Sequence, residues 1–488
     1  MATQPLVVAG IVVASAALVA WRALRHDLLL PPGPRGHWLY GNDFPKFKCY
    51  HEWSKVYGPV YTLHDGLKTI IVICGYQAAM DILEKEGAAT ADRPRMVAGG
   101  EIRSGDMRIL FVGVGERLKK LRRALHSHLQ SRVAPKYEET QAFNARQLIR
   151  DILEDPDGLF EHTQRYAASV ILSVTYGKPS PSRKSDPDVT LLHQMLANLG
   201  QALRPGAWAV DQLPWLKYLP FYASTLREEH QQELELFSRQ LQAVGDEVAV
   251  GVAPPSFGNY LLQSQKDLAL SDNELAYLAG SMFGAGAETT AAGLRIVVMA
   301  AAIYPEIQCK IQDELDSVVG HDRLPTFTDW DLLPNVRAFV LETFRWRPGT
   351  AVGMQHRATK DVIWIPAGAT IIPNHWSIGR DPEVWPNGDD FIPDRWLDSN
   401  GRVQDKPAFP NFGFGRRSCP GQPVAERSLF LNTALLLHSF SIAQDPSRPI
   451  DPLTFKHSVI TQPGPFSARF TVRNPGGAEA LFAMLDAS

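Results

Sequence analysis

The spacing of apolar and polar positions changes several times along the 488-residue chain. From Met1 to Trp21 there is no charged side chain, and residues 6–13 open a mainly apolar stretch that runs to Trp21. That is near the roughly 20 residues needed to cross the hydrocarbon of a bilayer. Arg22, Arg25 and His26 follow at once. The pattern predicts one N-terminal transmembrane anchor over residues 1–24, with the body on the cytosolic side. No basic segment precedes the apolar run and no small-residue cleavage site follows it, which argues against a signal peptide. Pro31, Pro32 and Pro34 fix φ and remove backbone donors, so residues 25–36 read as a basic, proline-rich hinge before a globule over 37–488.

Inside the globule, residues 60–63 and 69–73 are short strand-like runs around Asp65-Gly66, which predicts a hairpin. From about residue 76 the period lengthens. Leu118, Leu121, Leu125 and Leu129 recur at helical spacing, with Lys119, Lys120, Arg122 and Arg123 between them. Ser271 with Glu274 is a capping-box pattern. It opens an apolar run to about Ile303, roughly 32 residues and about 48 Å of helix at 1.5 Å per residue. Helices are also expected over 306–319, over 335–346 and from about Pro423, and short strands at 362–365 and 370–372. Residues 381–414 are irregular and rich in Pro, Gly and Asp. The fold class is therefore mainly α with small β-sheets.

Composition changes this picture little: 45% hydrophobic and 21% charged residues fit a globular protein, and a net charge of -3 gives no reason to expect nucleic acid as a partner. The cysteines, Cys49, Cys74, Cys309 and Cys419, are widely spaced, which argues against a disulfide framework or an iron–sulfur site.

Cys419 alone lies in a glycine- and arginine-rich loop, Phe412-Gly413-Phe414-Gly415-Arg416-Arg417-Ser418-Cys419-Pro420-Gly421. A thiolate that binds metal needs positive charge and backbone donors nearby. Glycines let its loop approach a flat macrocycle, and a following helix N-terminus adds a favourable dipole. This segment has all three. It resembles the heme-binding signature of the cytochrome P-450 family, F-x-x-G-x-R-x-C-x-G, at every fixed position. The resemblance implies the cytochrome P-450 fold, with its long central helix over heme b. It also implies that Cys419 is the axial ligand of the iron, that Arg417 pairs with a propionate and that Phe412 packs on the thiolate side. Gly415 and Gly421 are the signature's other cofactor-binding positions.

Further motifs extend the resemblance over nearly the full length. Glu342 and Arg345 share a helix face, and Phe391-Ile392-Pro393-Asp394-Arg395-Trp396 resembles the family's F-x-P-x-R-F element with Trp396 for the last Phe. The resemblance implies a buried structural triad of Glu342, Arg345 and Arg395 that braces the heme loop. Ala285-Gly286-Ala287-Glu288-Thr289-Thr290 places an acid and a hydroxyl in an apolar helix, where burial needs a reason. It resembles A-G-x-[DE]-T-[TS], which implies that Thr289 holds bound O2 and that Glu288 gates proton delivery. Arg357 and Arg122 match propionate-binding positions, but Leu118 stands where the family's W-x-x-x-R helix has Trp.

The resemblance implies a monooxygenase that inserts one oxygen atom of O2 into a hydrophobic small molecule. Electrons would come from NADPH through a separate flavoprotein reductase. No dinucleotide-binding loop is visible: Gly113-Val114-Gly115 lacks the third glycine. Lys119, Lys120, Arg122, Arg123 and Arg416 are candidates for a basic docking face. Met282, Phe283 and Ala285, residues 351–353 and residues 459–460 are expected near substrate. The style of the C-terminal half is similar to fungal members of secondary metabolism, such as terpenoid oxidation. Localisation at the endoplasmic reticulum membrane follows from the anchor. Two other readings stay open: a heme-thiolate isomerase or dehydratase working without a reductase, and a heme sensor or carrier.

Overall fold

In a computed structural model, the described residues are 30–37, 41–42, 47–66, 68–179, 186–404, 407–457 and 460–487. The expected anchor and residues 25–29 of the hinge lie outside them. The hairpin forms as expected: β1 (Val60–Asp65) pairs antiparallel with β2 (Lys68–Ile73), in the register Val60 to Ile73. Gly66 takes the left-handed φ of 57° that the turn demands. β3 (His356–Arg357) and β4 (Thr370–Pro373) complete a sheet of order β1-β2-β4-β3, with β4 parallel to β2. Residues 362–365 are not a strand. Val362 and Ile365 exchange both backbone hydrogen bonds across Ile363, whose φ is 51°, so the segment is a tight reverse turn.

Helices build the rest. The basic amphipathic stretch is α1 (Glu116–Leu129), burying Leu118, Leu121, Leu125 and Leu129. Next come α2 (Leu159–Tyr176), α3 (Pro187–Ala202) and α4 (Ser224–Ala249). The long apolar run is α5 (Asp272–Ile303), capped as its sequence predicts: Ser271 Oγ accepts from the Glu274 N–H, and the Glu274 side chain accepts from the Ser271 N–H. Among the described residues α5 is the one helix long and apolar enough to cross a membrane, but it is mostly buried in the core. After it come α6 (Pro305–Val318), α7 (Pro334–Trp346) and α8 (Gln422–Ser439). α5 crosses the molecule at close range. A Cβ on Gly286 would lie 2.5 Å from Ile171 of α2, so only glycine fits there.

The chain beyond α8 adds two small antiparallel sheets, one of β5 (Phe440–Gln444) with β8 (Ala468–Val472), the other of β6 (Phe455–His457) with β7 (Thr461–Pro463). The main core joins α2, α4, α5, α7 and α8.

Candidate active site

The loop before α8 is shaped by its backbone. The Cys419 N–H donates to the Phe412 carbonyl at 2.7 Å, and the Arg417 N–H to the Phe414 carbonyl at 2.9 Å. Gly415 has a φ of 46°, and its N–H donates to the Glu84 carboxylate at 2.7 Å. A side chain there would be strained and would crowd the Leu83 carbonyl, 3.3 Å from a Cβ. Phe412 packs edge-on against Phe344 of α7, with centroids 5.1 Å apart.

Cys419 lies deep in the protein, yet its surface is open. That combination marks the wall of an internal crevice. Burial pushes its thiol up, while the N–H groups of Gly421 and Gln422 and the Arg122 guanidinium pull it down. A cation facing the sulfur would turn the balance to thiolate.

The facing wall is α5. In its central turns only Ala285 and Thr289 are exposed, and they lie one turn apart. The Thr289 hydroxyl donates to the Ala285 carbonyl at 2.9 Å. One turn further along this face, Gly293 packs on Leu429 of α8, 3.0 Å from a Cβ. The face with Ala285 and Thr289 is thus the one turned toward α8, which begins just after Cys419. Glu288 points elsewhere: its carboxylate lies 3.3 Å from His193 of α3. Phe283, expected near substrate, is fully buried with its ring edge-on to Tyr176.

At one side of the crevice, guanidinium groups gather without matching acids. Arg417 is half-buried and donates to the carbonyls of Ala91 and Val112. Arg122 donates to the Ser418 carbonyl at 2.8 Å. Arg93, buried, donates to the carbonyls of Leu110, Met354 and Gln355. Burial, with Arg417 and Arg122 nearby, holds Arg93 down to about 9. Burial and Arg122 bring Arg417 to about 10, against the pull of Asp92. Burial lowers His356 to about 3, and Arg93 and Arg417 add to that shift. A buried group of cations with a single nearby acid calls for an anionic ligand. The two propionates of a heme, set beside a cysteine on an open wall, match that need.

The structure does not bring Arg357 into this group. It ion-pairs with Asp92 and is exposed, whereas His356, one residue earlier on β3, points inward. Neighbouring strand residues face opposite ways, but a two-residue strand leaves no alternation in the sequence from which to separate the two. Arg93 was missed as well. No local pattern in the sequence announces it.

The expected triad comes together. The Arg345 guanidinium donates to both Glu342 oxygens, at 2.6 and 2.8 Å, and Arg395 adds a third contact at 3.2 Å. Glu342 also accepts from the Ile392 N–H at 2.8 Å and the Trp396 indole at 2.9 Å. Both Glu342 and Arg345 are fully buried.

Comparison with known proteins decides the relationship. The family model for cytochrome P450 matches residues 31–470. The chain belongs to the cytochrome P450 family. It is 54% identical over 451 residues, 91% of each chain, to cytochrome P450 monooxygenase 88 of Postia placenta. It is 49% identical over 464 residues, 94% of each, to cytochrome P450 monooxygenase 113 of the same fungus. It is 32% identical over 473 residues to cytochrome P450 monooxygenase claR of Ampulloclitocybe clavipes, covering 93% of this chain and 88% of that one. The P450 family uses heme b with an axial cysteine thiolate and is an O2-dependent monooxygenase family. The long helix, the open-faced cysteine and the cation group of this P450 fit that cofactor.

Proposed function

We propose that this P450 is a membrane-bound heme-thiolate monooxygenase of an apolar small molecule, with Cys419 as the axial ligand. The observation that carries this reading is the open face of Cys419 inside the molecule, on the crevice that α5 closes with Ala285 and Thr289. Bound there, heme supplies O2 activation, helped by electron density from the thiolate. The chain supplies the remainder. Arg93, Arg122, Arg417 and His356 hold the propionate side, and Gly415 and Gly421 allow the close approach of the loop. Phe412 shields the sulfur. Glu342, Arg345 and Arg395 brace the loop without touching the reaction. Thr289 presents its hydroxyl to the crevice and Glu288 supplies the acid for proton delivery.

The reduced carbon-monoxide spectrum of the purified protein tests the ligand: it should show the band of a thiolate-bound heme, and Cys419→Ser should abolish it. A histidine-type band would overturn the assignment. Binding of 7-ethoxycoumarin, seen as a spin-state change, tests for an apolar pocket. Product that requires both reductase and NADPH separates a monooxygenase from an isomerase or a heme carrier.

Two surfaces support the partners. Between α3 and α4, Leu213, Trp215, Tyr218, Leu219 and Phe221 are exposed, Trp215 by 57% and Phe221 by 95%. Such a cluster favours a bilayer interface. It lies beside the start of the globule. Lys68 donates to the Asp211 carbonyl at 3.1 Å, and the Thr62 N–H of the same hairpin donates to the Pro32 carbonyl at 3.0 Å. In this reading anchor and patch enter one membrane, with residues 25–36 as the hinge and 37–488 as the catalytic domain. For the reductase, Arg123 and Arg416 are exposed near the cysteine loop, whereas Arg122 turns inward and Lys119 pairs with Glu116 at 2.6 Å. Charge reversal at Arg123 and Arg416 should slow reduction by the flavoprotein but not by dithionite.

A further inference from the structure

Glu288 and Thr289 are neighbours in sequence but not partners in space. Successive helical residues stand about 100° apart around the axis. The Thr289 hydroxyl bonds to its own helix. The Glu288 carboxylate instead reaches α3, with Oε1 3.3 Å from Nδ1 of His193. The other ring nitrogen, Nε2, is buried with no hydrogen-bond partner. Both side chains are partly buried, His193 at 20% and Glu288 at 12% exposure.

Several charges on the surrounding elements have partners of their own. Asp188 of α3 pairs with Arg239 of α4 and accepts from Gln240. Glu233 of α4 pairs with Arg103 and Arg108, and Arg103 also reaches Glu229. Arg295, two turns along α5 from Glu288, donates to Thr163, Gln462 and the Phe160 carbonyl. Burial lowers its guanidinium to about 10, against the pull of Glu161 and Glu288. His193 is thus the group in hydrogen-bond contact with the Glu288 carboxylate. The contact is not needed to dock α3 on α5, because Leu192 and Leu196 already pack on Gly284.

We propose that His193 is the positioning residue for Glu288: its Nδ1–H holds the carboxylate on the α3 side of the central helix, and proton delivery depends on that contact. This rests on the reading of Glu288 as the acid of the relay. The ring geometry supports it. A carboxylate at Nδ1 selects the tautomer with its proton there. Nε2 is then a bare acceptor, and a buried acceptor without a partner costs less than a stranded imidazolium N–H. Among the described residues the His193 ring is the one side chain in hydrogen-bond contact with the Glu288 carboxylate, so without the imidazole nothing holds it on the α3 side.

The ring ¹⁵N resonances of the heme-loaded enzyme test the contact, with His193 assigned by its loss in His193→Gln. The expected signature at pH 8 is a protonated Nδ1 and a bare Nε2, and this pattern should relax in Glu288→Gln. Product formed per NADPH, with 7-ethoxycoumarin at equal heme content, tests the consequence. His193→Ala should lower it about fivefold or more. His193→Gln, whose amide can still donate, should recover to within about twofold of wild type. The double variant His193→Ala/Glu288→Gln should be no worse than Glu288→Gln alone. A proton found on Nε2 of the wild-type ring would overturn the proposal. So would wild-type coupling in His193→Ala while Glu288→Gln falls. Wild-type coupling in Glu288→Gln would instead reject the relay reading itself, and the role of His193 with it.

Discussion

Two buried charge networks flank the cysteine loop, and they are built in opposite ways. Around Glu342 every charge is answered: one carboxylate accepts from Arg345, Arg395, Trp396 and the Ile392 N–H. The spare donors of Arg345 go to the carbonyls of Gly379, Gly388 and Asp390. Around Arg93 the cations outnumber the acids, and their charge is answered by backbone carbonyls and by Asp92, which Arg357 already holds. The first network is complete within the chain, as a scaffold must be. The second is complete only when an anion is bound, as a cofactor cradle must be. Buried charge is thus a structural brace where each guanidinium reaches a carboxylate, as Arg345 and Arg395 reach Glu342, and a binding site where the guanidiniums reach only carbonyls, as those of Arg93, Arg122 and Arg417 do.

The contrast breaks most visibly at Glu342. Glu342→Gln leaves Arg345 and Arg395 buried against a neutral amide, and should cost about 3–5 kcal/mol of stability. Chemical denaturation of the apoprotein and the heme-loaded protein should show the same loss in both. A loss that heme loading repaired would mean that the brace belongs to the cradle after all. The reverse holds for Arg93. Arg93→Gln keeps hydrogen-bond donors but removes the charge. Its apoprotein should change by less than about 1 kcal/mol, while heme dissociates on the order of 100-fold faster, about 2.7 kcal/mol. Transfer of heme to an excess of apoglobin measures the rate. An equal effect on both states would erase the difference between the networks.

Much of this arrangement was legible in the sequence because it is local. The cap at Ser271, the hairpin over Asp65-Gly66 and the loop before Cys419 each lie within a dozen residues, so spacing alone carries them. The triad was reached through resemblance, since Glu342 and Arg395 meet only after folding. What escaped were pairings between distant segments. Arg93 meets Arg417 only when the loop before α1 folds over the cysteine. His193 meets Glu288 only when α3 crosses α5. At β3 a single-residue choice, His356 inward and Arg357 outward, rests on strand alternation too short to read. The strand expected at 362–365 failed for a related reason: an apolar run does not reveal that Ile363 turns to a positive φ.

His375 sharpens the comparison from between the two networks. Its backbone carbonyl accepts from Gly379, whose own carbonyl serves Arg345, and its ring lies 5.8 Å from Phe414 in the cysteine loop. Burial lowers it to about 4, against the opposing bond to the Thr350 carbonyl. The sign follows from linkage. Above the unfolded value near 6.5 the ring is neutral in both states and costs nothing. Below it the unfolded chain takes up a proton that the folded chain refuses, so stability falls as pH falls, until the folded ring also titrates near 4. Between pH 7.5 and 5 this should remove about 2 kcal/mol. His375→Gln should lose about that much less over the same interval in denaturation midpoints. An unchanged pH slope would show that the ring is charged in the folded protein.

The smallest effect probes the one neutral side-chain donor to the Glu342 carboxylate. Trp396 stands where the family element has phenylalanine, and its indole N–H gives Glu342 Oε2 a bond of 2.9 Å. That oxygen also accepts from the Nε of Arg345 at 2.8 Å, so loss of the indole leaves it partnered. Trp396→Phe should therefore cost about 1.5 kcal/mol, the lower end for a hydrogen bond to a charged group. The smaller ring also loosens packing on Trp385, whose centroid lies 5.1 Å away. Trp396→Tyr would retain much of the ring area without a donor at the same place. If both variants fall by the same amount, the hydrogen bond is what matters; if only phenylalanine falls, it is the packing. Heme retention should stay at the wild-type rate in either case, because a change confined to the Glu342 network does not reach the cradle.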